Sequence, residues 1–523
     1  MDIKTIKRIE KATQGNIGDS IKIAIVLVFF IIVCIIASIF GATQNIMLLA
    51  FATVIGAYMA MNIGANDVAN NVGPAVGSKA ITLLGAIGIA AFFEAFGAIV
   101  AGADVVDTIK SGIIDPASVR DSKVFVAVML GALFSSAIWL HLATFLGAPV
   151  STTHSLVGGV LGAGIVAGGM EVVKWAELAK IVSSWVISPV MGGIFAVLFL
   201  VLIKYTITYK ENKNEAAKVV VPFLVFFMSW AFVLYLIIKG LNRVIPMHFG
   251  VACAISLVIA LAIFFGTRPL IVRKAQKLSN TKEDIGTLFT IPLIFAAAML
   301  SFAHGANDVS NAVGPLAAIN QTLESVSDQV LSNKAGVPFW ILLIGGLGIS
   351  IGLALYGPRL IRTVGNEITD LDKIRAFCVA MSAAITVLVA SAFGLPVSST
   401  HIAIGAIFGV GFLREFLKRR YGRMIATIEE AYDNSPELAQ FLERFHKASI
   451  KRKAIMLESL KKNKSDILLA KKKKKALKKV YKKELVKRSA ICKIVASWLI
   501  TVPVSMAFSA IVYLMLSKIP LGL

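Results

Sequence analysis

Residues 64-GANDVANNVGPAV-76 return as 305-GANDVSNAVGPLA-317, with nine of the thirteen positions identical. A second pair lies further along: 147-GAPVSTTHSLVGGVLGAG-164 returns as 394-GLPVSSTHIAIGAIFGVG-411. Gly102…Thr108-Ile109 is weakly echoed by Gly357…Thr363-Val364, and 185-WVISP-189 by 498-WLITVP-503. The four elements recur in one order, at offsets of 241, 255, 247 and 313. The chain therefore reads as a duplicated unit, and the jump in the last offset marks an insertion late in the second copy.

The repeated unit is apolar. The 523 residues are 57% hydrophobic and 16% charged, with a mean hydropathy of +0.80. A soluble domain carries about 45–50% apolar and about 25% charged residues, so a soluble enzyme is excluded first. Blocks such as Ile21–Phe40, Val124–Leu140, Val186–Ile203 and Phe223–Ile238 approach the 18–25 residues that match a bilayer's hydrocarbon, and roughly ten to twelve of them occur. The fold class is thus an all-α polytopic membrane protein of two repeats, with an extra leading helix. Internal repeats in such chains mark secondary transporters, whose halves are often inverted. The expected organisation is a basic tail and transmembrane helix over 1–44, a first repeat over 45–205, and a linker of about two transmembrane helices over 206–285. A second repeat over 286–411, a basic insert over 412–493 and a final helix over 494–523 complete it.

The net charge of +23 is concentrated: residues 412–493 hold 25 Lys/Arg against 9 Asp/Glu. Positive loops mark the cytoplasmic side, so the insert is expected in the cytoplasm, largely helical. The run 471-KKKKKALKKVYKK-483 lacks any nucleic-acid recognition motif and fits anionic lipid better. Lys4, Lys7, Arg8 and Lys11 precede the first apolar block, which is longer than a signal-peptide core and reads as a retained helix. The four cysteines, Cys34, Cys253, Cys378 and Cys492, form no CxxC pair and read as small apolar residues. The cytoplasmic (inner) membrane is the natural location for a multi-pass chain of this kind, and a homo-oligomer is compatible with it.

Polar groups inside the apolar blocks carry the chemistry. Asn66, Asp67, Asn70 and Asn71 recur as Asn307, Asp308 and Asn311, each set between an apolar stretch and a Gly-Pro pair. A carboxylate at bilayer depth costs about 2.5–3.5 kcal/mol on insertion scales. Two in matching contexts point to a ligand or ion site more than to hydrogen bonds that merely hold helices together. Gly before the motif and Pro after it suggest an interrupted helix. Ser151-Thr152-Thr153-His154 and Ser398-Ser399-Thr400-His401 each follow a proline and suit a helix that starts inside the membrane, with Ser as N-cap. A helix start offers free N–H groups and a positive dipole end to an anion, and plain capping is the alternative. His154 and His401 are accessory candidates that equally well anchor the turn.

Neither motif contains an Arg, and Lys79 is the only lysine just beyond the first. Two unit charges ~4 Å apart interact by about 4 kcal/mol at an effective dielectric near 20. An anion beside Asp67 and Asp308 therefore needs bound cations to bridge it, which predicts cation-coupled anion symport. Glu94 is a lone carboxylate in an apolar helix, matched by Ile349 in the second copy, and is a further accessory candidate. Catalysis is not expected, because Ser151/His154 and Ser398/His401 lack an orienting acid.

The paired GANDV and PVS(T/S)TH motifs resemble the inorganic phosphate transporter family of cation–phosphate symporters, over about 45–411 and the last helix. That resemblance implies inverted helical repeats with re-entrant Ser/Thr-rich tips and phosphate between them. The phosphate ligands it implies are Asn66, Asp67, Asn70, Asn307, Asp308 and Asn311, with hydroxyls among Ser151, Thr152, Thr153, Ser398, Ser399 and Thr400. It implies Na+ or H+ as the coupling ion, near Asp67 and Asp308 with Asn66 and Asn307 beside them, and no other cofactor. Some members carry a Glu before the second PVSTTH, absent from 377-FCVAMSA-383, and one relative moves sulfate. Sulfate symport and a passive anion channel are the alternatives.

Overall fold

The computed structural model describes residues 3–519, apart from 42, 44, 120, 147–149, 244, 329–335, 368–370 and most of 433–487. Most of the basic insert, and Pro149 before the first Ser/Thr tip, lie outside the described residues. Without water in a bilayer core, backbone polar groups must close their hydrogen bonds within the segment, and the apolar blocks do so as helices. Twelve helices among the described residues are long and apolar enough to cross a membrane, the upper end of the expected range.

In chain order the helices, short ones included, are α1 (Ile3–Phe40), α2 (Ile46–Asn66), α3 (Val68–Gly77), α4 (Leu83–Ala101), α5 (Ala103–Ser111), α6 (Ser122–Phe145) and α7 (Thr152–Gly168). Then follow α8 (Trp175–Ile203), α9 (Lys213–Lys239), α10 (Phe249–Gln276), α11 (Lys282–Leu288) and α12 (Thr290–Asp328). The last are α13 (Phe339–Glu367), α14 (Lys373–Ala392), α15 (Ser399–Tyr432) and α16 (Arg488–Leu516). Helix α1 is peripheral: it buries Phe29, Val33 and Ala37 at four-residue spacing and exposes Ile21, Ile31, Ile35 and Ile39. Helices α9 and α10 occupy the stretch expected as a two-helix linker. The centre is built from α2, α6, α12, α13 and α14, whose apolar side chains are largely buried.

The interruption expected at the GAND motifs is slight in the first copy and absent from the second. Helix α12 runs unbroken through 305-GANDVSNAVGP-315 with Pro315 inside it. In the first copy only Asp67 separates α2 from α3, and its backbone stays helical at φ −90°, ψ −32°. The breaks that matter lie before α7 and α15, which start at buried Ser151 and Ser398. At 17 residues α7 is shorter than the ~20 needed to span a bilayer.

The glycines before the two motifs serve close packing instead. A Cβ on Gly64 would stand 1.9 Å from the carbonyl oxygen of Ile349, and one on Gly305 would stand 2.1 Å from that of Glu94. In the same way a Cβ on Gly352 would stand 1.9 Å from the Met61 carbonyl oxygen, and one on Gly97 2.0 Å from that of Phe302. Small residues let membrane helices approach to backbone contact. The crossing of α2 with α13 and that of α12 with α4 thus use residues equated by the offsets of 241 and 255. Gly158 and Gly162 against Val502 and Met506 match Gly405 and Gly409 against Pro189 and Gly193 in the same sense, through the offsets of 247 and 313.

Candidate functional site

The four motifs converge in the middle of the bundle. Asn66, Asp67, Asn70, Asn307, Asp308 and Asn311 are each at most 5% exposed, as are Ser151, Thr152, Thr153, Ser398, Ser399 and Thr400. Such burial of polar groups demands partners, and those partners cross between the copies. Asn70 Nδ2 donates to Thr400 Oγ1 at 2.9 Å, and Asn311 Nδ2 donates to Thr152 and Thr153 Oγ1 at 3.2 and 3.1 Å. Each GAND helix therefore grips the Ser/Thr tip of the other copy.

The second tip reaches both carboxylates. Thr400 Oγ1 donates to Asp67 Oδ1 at 3.2 Å, and Ser399 Oγ donates to Asp308 Oδ2 at 2.8 Å. The tips themselves are capped as the sequence suggested: the His154 and His401 N–H groups donate to Ser151 Oγ (3.2 Å) and Ser398 Oγ (3.3 Å). The extended lead-in to α15 is held carbonyl by carbonyl. Gly394 accepts from Thr108 Oγ1, Leu395 from Asn307 Nδ2, Pro396 from Trp185 Nε1 and Val397 from Thr153 Oγ1, at 2.7–3.3 Å. Asn66 and Asn307 have matching second partners, since their amides donate to Thr144 Oγ1 and Ser391 Oγ, both at 2.9 Å.

Of the accessory candidates, His154 and His401 pack against one another with ring centroids 4.7 Å apart, and His154 lies edge-on to Trp185 at 3.8 Å. Their backbones serve the caps while their rings pack. Glu94 is fully buried and accepts from Asn71 Nδ2 at 2.8 Å. Its other oxygen lies 2.6 Å from His304 Nδ1, and His304 Nε2 lies 2.8 Å from Asp308 Oδ2. Sequence reasoning missed His304, although its four-residue spacing from Asp308 places both on one face of a helix. Thr144 and Ser391 were missed as well, each several residues ahead of its tip motif.

The arrangement is rich in acceptors. Asp308 Oδ1, Asn71 Oδ1 and Asn311 Oδ1 are buried with no hydrogen-bond partner among the described residues. Such orphaned oxygens are costly unless a donor or cation meets them. One ligand atom each from Asp67, His304 and Asp308 lie within 4.8 Å of one another, a spacing that a small cation fits. The N–H groups opening α7 and α15 supply donors that an oxyanion needs, whereas the hydroxyl protons of Thr153, Ser399 and Thr400 are given to Val397, Asp308 and Asp67.

The phosphate transporter family matches this chain over residues 63–509. The "Putative phosphate permease" of Helicobacter pylori strain 26695 is 55% identical over 529 residues, which cover 99% of each chain. That of Chlamydia muridarum is 42% identical over 391 residues, 70% of this chain and 90% of its own. Among solved structures, one described as the sodium-dependent phosphate transporter superposes with a TM-score of 0.73 at 32% identity, over 91% of this chain and 100% of its own.

Proposed function

The chain belongs to the phosphate transporter family, and on that footing we propose that it carries inorganic phosphate through the membrane by symport with Na+ or H+. The supporting observation is the buried carboxylate pair, Asp67 and Asp308, set among tip hydroxyls with an unpartnered oxygen on Asp308. Phosphate beside two carboxylates is repelled until cations stand between them, by about 4 kcal/mol per pair of charges at ~4 Å and an effective dielectric near 20. Binding of anion and cation is thereby made mutually dependent.

In this reading Ser151, Thr152, Thr153, Ser398, Ser399 and Thr400 and the amides of Asn66, Asn70, Asn307 and Asn311 hold phosphate. Asp67 and Asp308 take the coupling ion, with Asn66 and Asn307 beside them. Na+ is favoured by the likeness to a sodium-dependent phosphate transporter. The two repeats, 45–205 with 286–411 and the last helix, are inverted copies that rock about the site to give alternating access. The matching glycine crossings support that duplication. The basic insert faces the cytoplasm and its anionic lipid, and the chain resides in the cytoplasmic (inner) membrane.

Uptake of radiolabelled phosphate into proteoliposomes under a sodium gradient, a proton gradient or neither tests the proposal. Gradient-driven uptake is expected, and Asp67→Asn or Asp308→Asn should abolish it with the protein still inserted and folded. Near-normal coupled uptake in both variants would sink the carboxylate role, and sulfate competing at equal concentration would widen the substrate to tetrahedral oxyanions.

A further inference from the structure

The two carboxylates sit in unequal surroundings, although the motifs that carry them are near copies. Under the offsets of 241 and 255, His304 corresponds to Ile63 and Glu94 to Ile349. All four side chains are fully buried at the two matching glycine crossings. One crossing, α2 on α13, is closed by two isoleucines. Its counterpart, α12 on α4, holds a carboxylate and an imidazole. The fold therefore does not require a polar pair at this position, and replacing a buried ion pair by apolar residues of similar size is often neutral or stabilising.

The polar pair leads to the site. Asn71 Nδ2 donates to Glu94 Oε1 at 2.8 Å, Glu94 Oε2 meets His304 Nδ1 at 2.6 Å, and His304 Nε2 meets Asp308 Oδ2 at 2.8 Å. Ser399 Oγ takes the same Asp308 oxygen at 2.8 Å. Oδ2 is thus met from two sides, by the Ser399 hydrogen bond and by the close approach of His304 Nε2, which is out of line for a hydrogen bond, and Oδ1 is left without a partner. The contact between Nδ1 and Glu94 Oε2 holds the ring in the orientation that brings Nε2 to Asp308.

We propose that Glu94 and His304 are positioning residues that fix Asp308 for the coupling cation. This rests on the reading of Asp308 as a cation-binding residue. Outer partners that orient a metal-binding carboxylate change cation affinity by about 10–100-fold. The hydroxyls that would hold phosphate are not part of the chain from Asn71 to Asp308, apart from Ser399 at its end.

The test compares Glu94→Gln and the double variant Glu94→Ile/His304→Ile, which copies the apolar crossing, with the unaltered chain. Two readouts are taken: the cation concentration giving half-maximal phosphate uptake, and the cation concentration giving half-maximal protection of the purified protein against thermal unfolding. The second needs no transport. Both variants should shift both midpoints upward by about tenfold, while the phosphate KM at saturating cation moves less than twofold. The melting temperature of the double variant without cation should equal or exceed that of the unaltered chain. Unchanged cation midpoints in Glu94→Gln would overturn the proposal, as would an equal shift in phosphate KM. Normal coupled uptake in Asp308→Asn would instead overturn the underlying assignment of Asp308.

Discussion

Gly305→Ala inserts one methyl group between two backbones. Its Cβ would lie 2.1 Å from the Glu94 carbonyl oxygen, 2.8 Å from the carbonyl carbon and 2.9 Å from Cα, so no rotamer change can relieve it. A relaxed carbon–oxygen contact is about 3.3 Å, which requires α4 and α12 to part by roughly 1 Å. The 2.6 Å contact between Glu94 and His304 then lengthens to roughly 3.6 Å, beyond hydrogen-bond range. Overpacking costs about 1–3 kcal/mol, loss of the buried hydrogen bond between Glu94 and His304 about 1.5–3 kcal/mol, and the helical preference of Ala over Gly returns about 1 kcal/mol. The net expectation is a loss of about 1.5–5 kcal/mol.

Thermal unfolding of the purified protein reads that loss, and proteoliposome uptake reads its effect on transport. Gly64→Ala, at the equivalent crossing, places its Cβ 1.9 Å from the Ile349 carbonyl oxygen but has two isoleucines and no polar contact beside it, so it should lose less. Gly88→Ala, with nothing within 4 Å of the new methyl group, should match the unaltered chain or melt slightly higher. A Gly305→Ala protein with unaltered melting and uptake would refute the reasoning that backbone contact sets the Glu94–His304 geometry.

The remaining predictions concern a tip and the edge of the bundle. Ser398→Ala should cost about 1 kcal/mol of stability and Ser398→Gly only a few tenths, whereas both should raise the phosphate KM alike if the hydroxyl also meets substrate; melting curves and uptake kinetics separate the two roles. Asp372 caps α14 by accepting from the Arg375 N–H at 3.0 Å and pairs with Lys282 at 3.1 Å and with the Arg375 side chain at 3.4 Å. Burial pushes its carboxyl up, but Arg375 and Lys282 together outweigh this and hold it below the usual carboxylate value. The stabilisation is therefore complete above about pH 4, the unfolded value, and is lost as pH falls through the lowered one. Asp372→Asn, which keeps the cap, should melt lower than the unaltered chain at neutral pH, with the gap closing in strong acid; a gap independent of pH would count against the charge pairing.

The sequence carried more of the site than of its wiring. Asn66, Asp67, Asn70 and their second-copy equivalents stood out because a polar residue in an apolar block is costly wherever the block folds. His304 did not, because one histidine at the end of an apolar stretch looks like packing until the partner of its other nitrogen is known, and Glu94 lies 210 residues away. Gly64 and Gly305 suggested a helix break, since glycine weakens an isolated helix. In the bundle a neighbouring carbonyl occupies the space a side chain would need, and α12 stays continuous.

Hydropathy, composition and internal repetition by themselves determined a polytopic helical protein and its duplicated polar motifs without lysine or arginine, because burial in lipid imposes local rules on every turn of chain. Only the tertiary structure decided which copy's amide meets which copy's hydroxyl, and why two near-identical aspartates differ. Those outcomes depend on which helices cross and how closely. Crossing is a property of surfaces brought together from distant parts of the chain, and a one-dimensional pattern does not encode the distance between them.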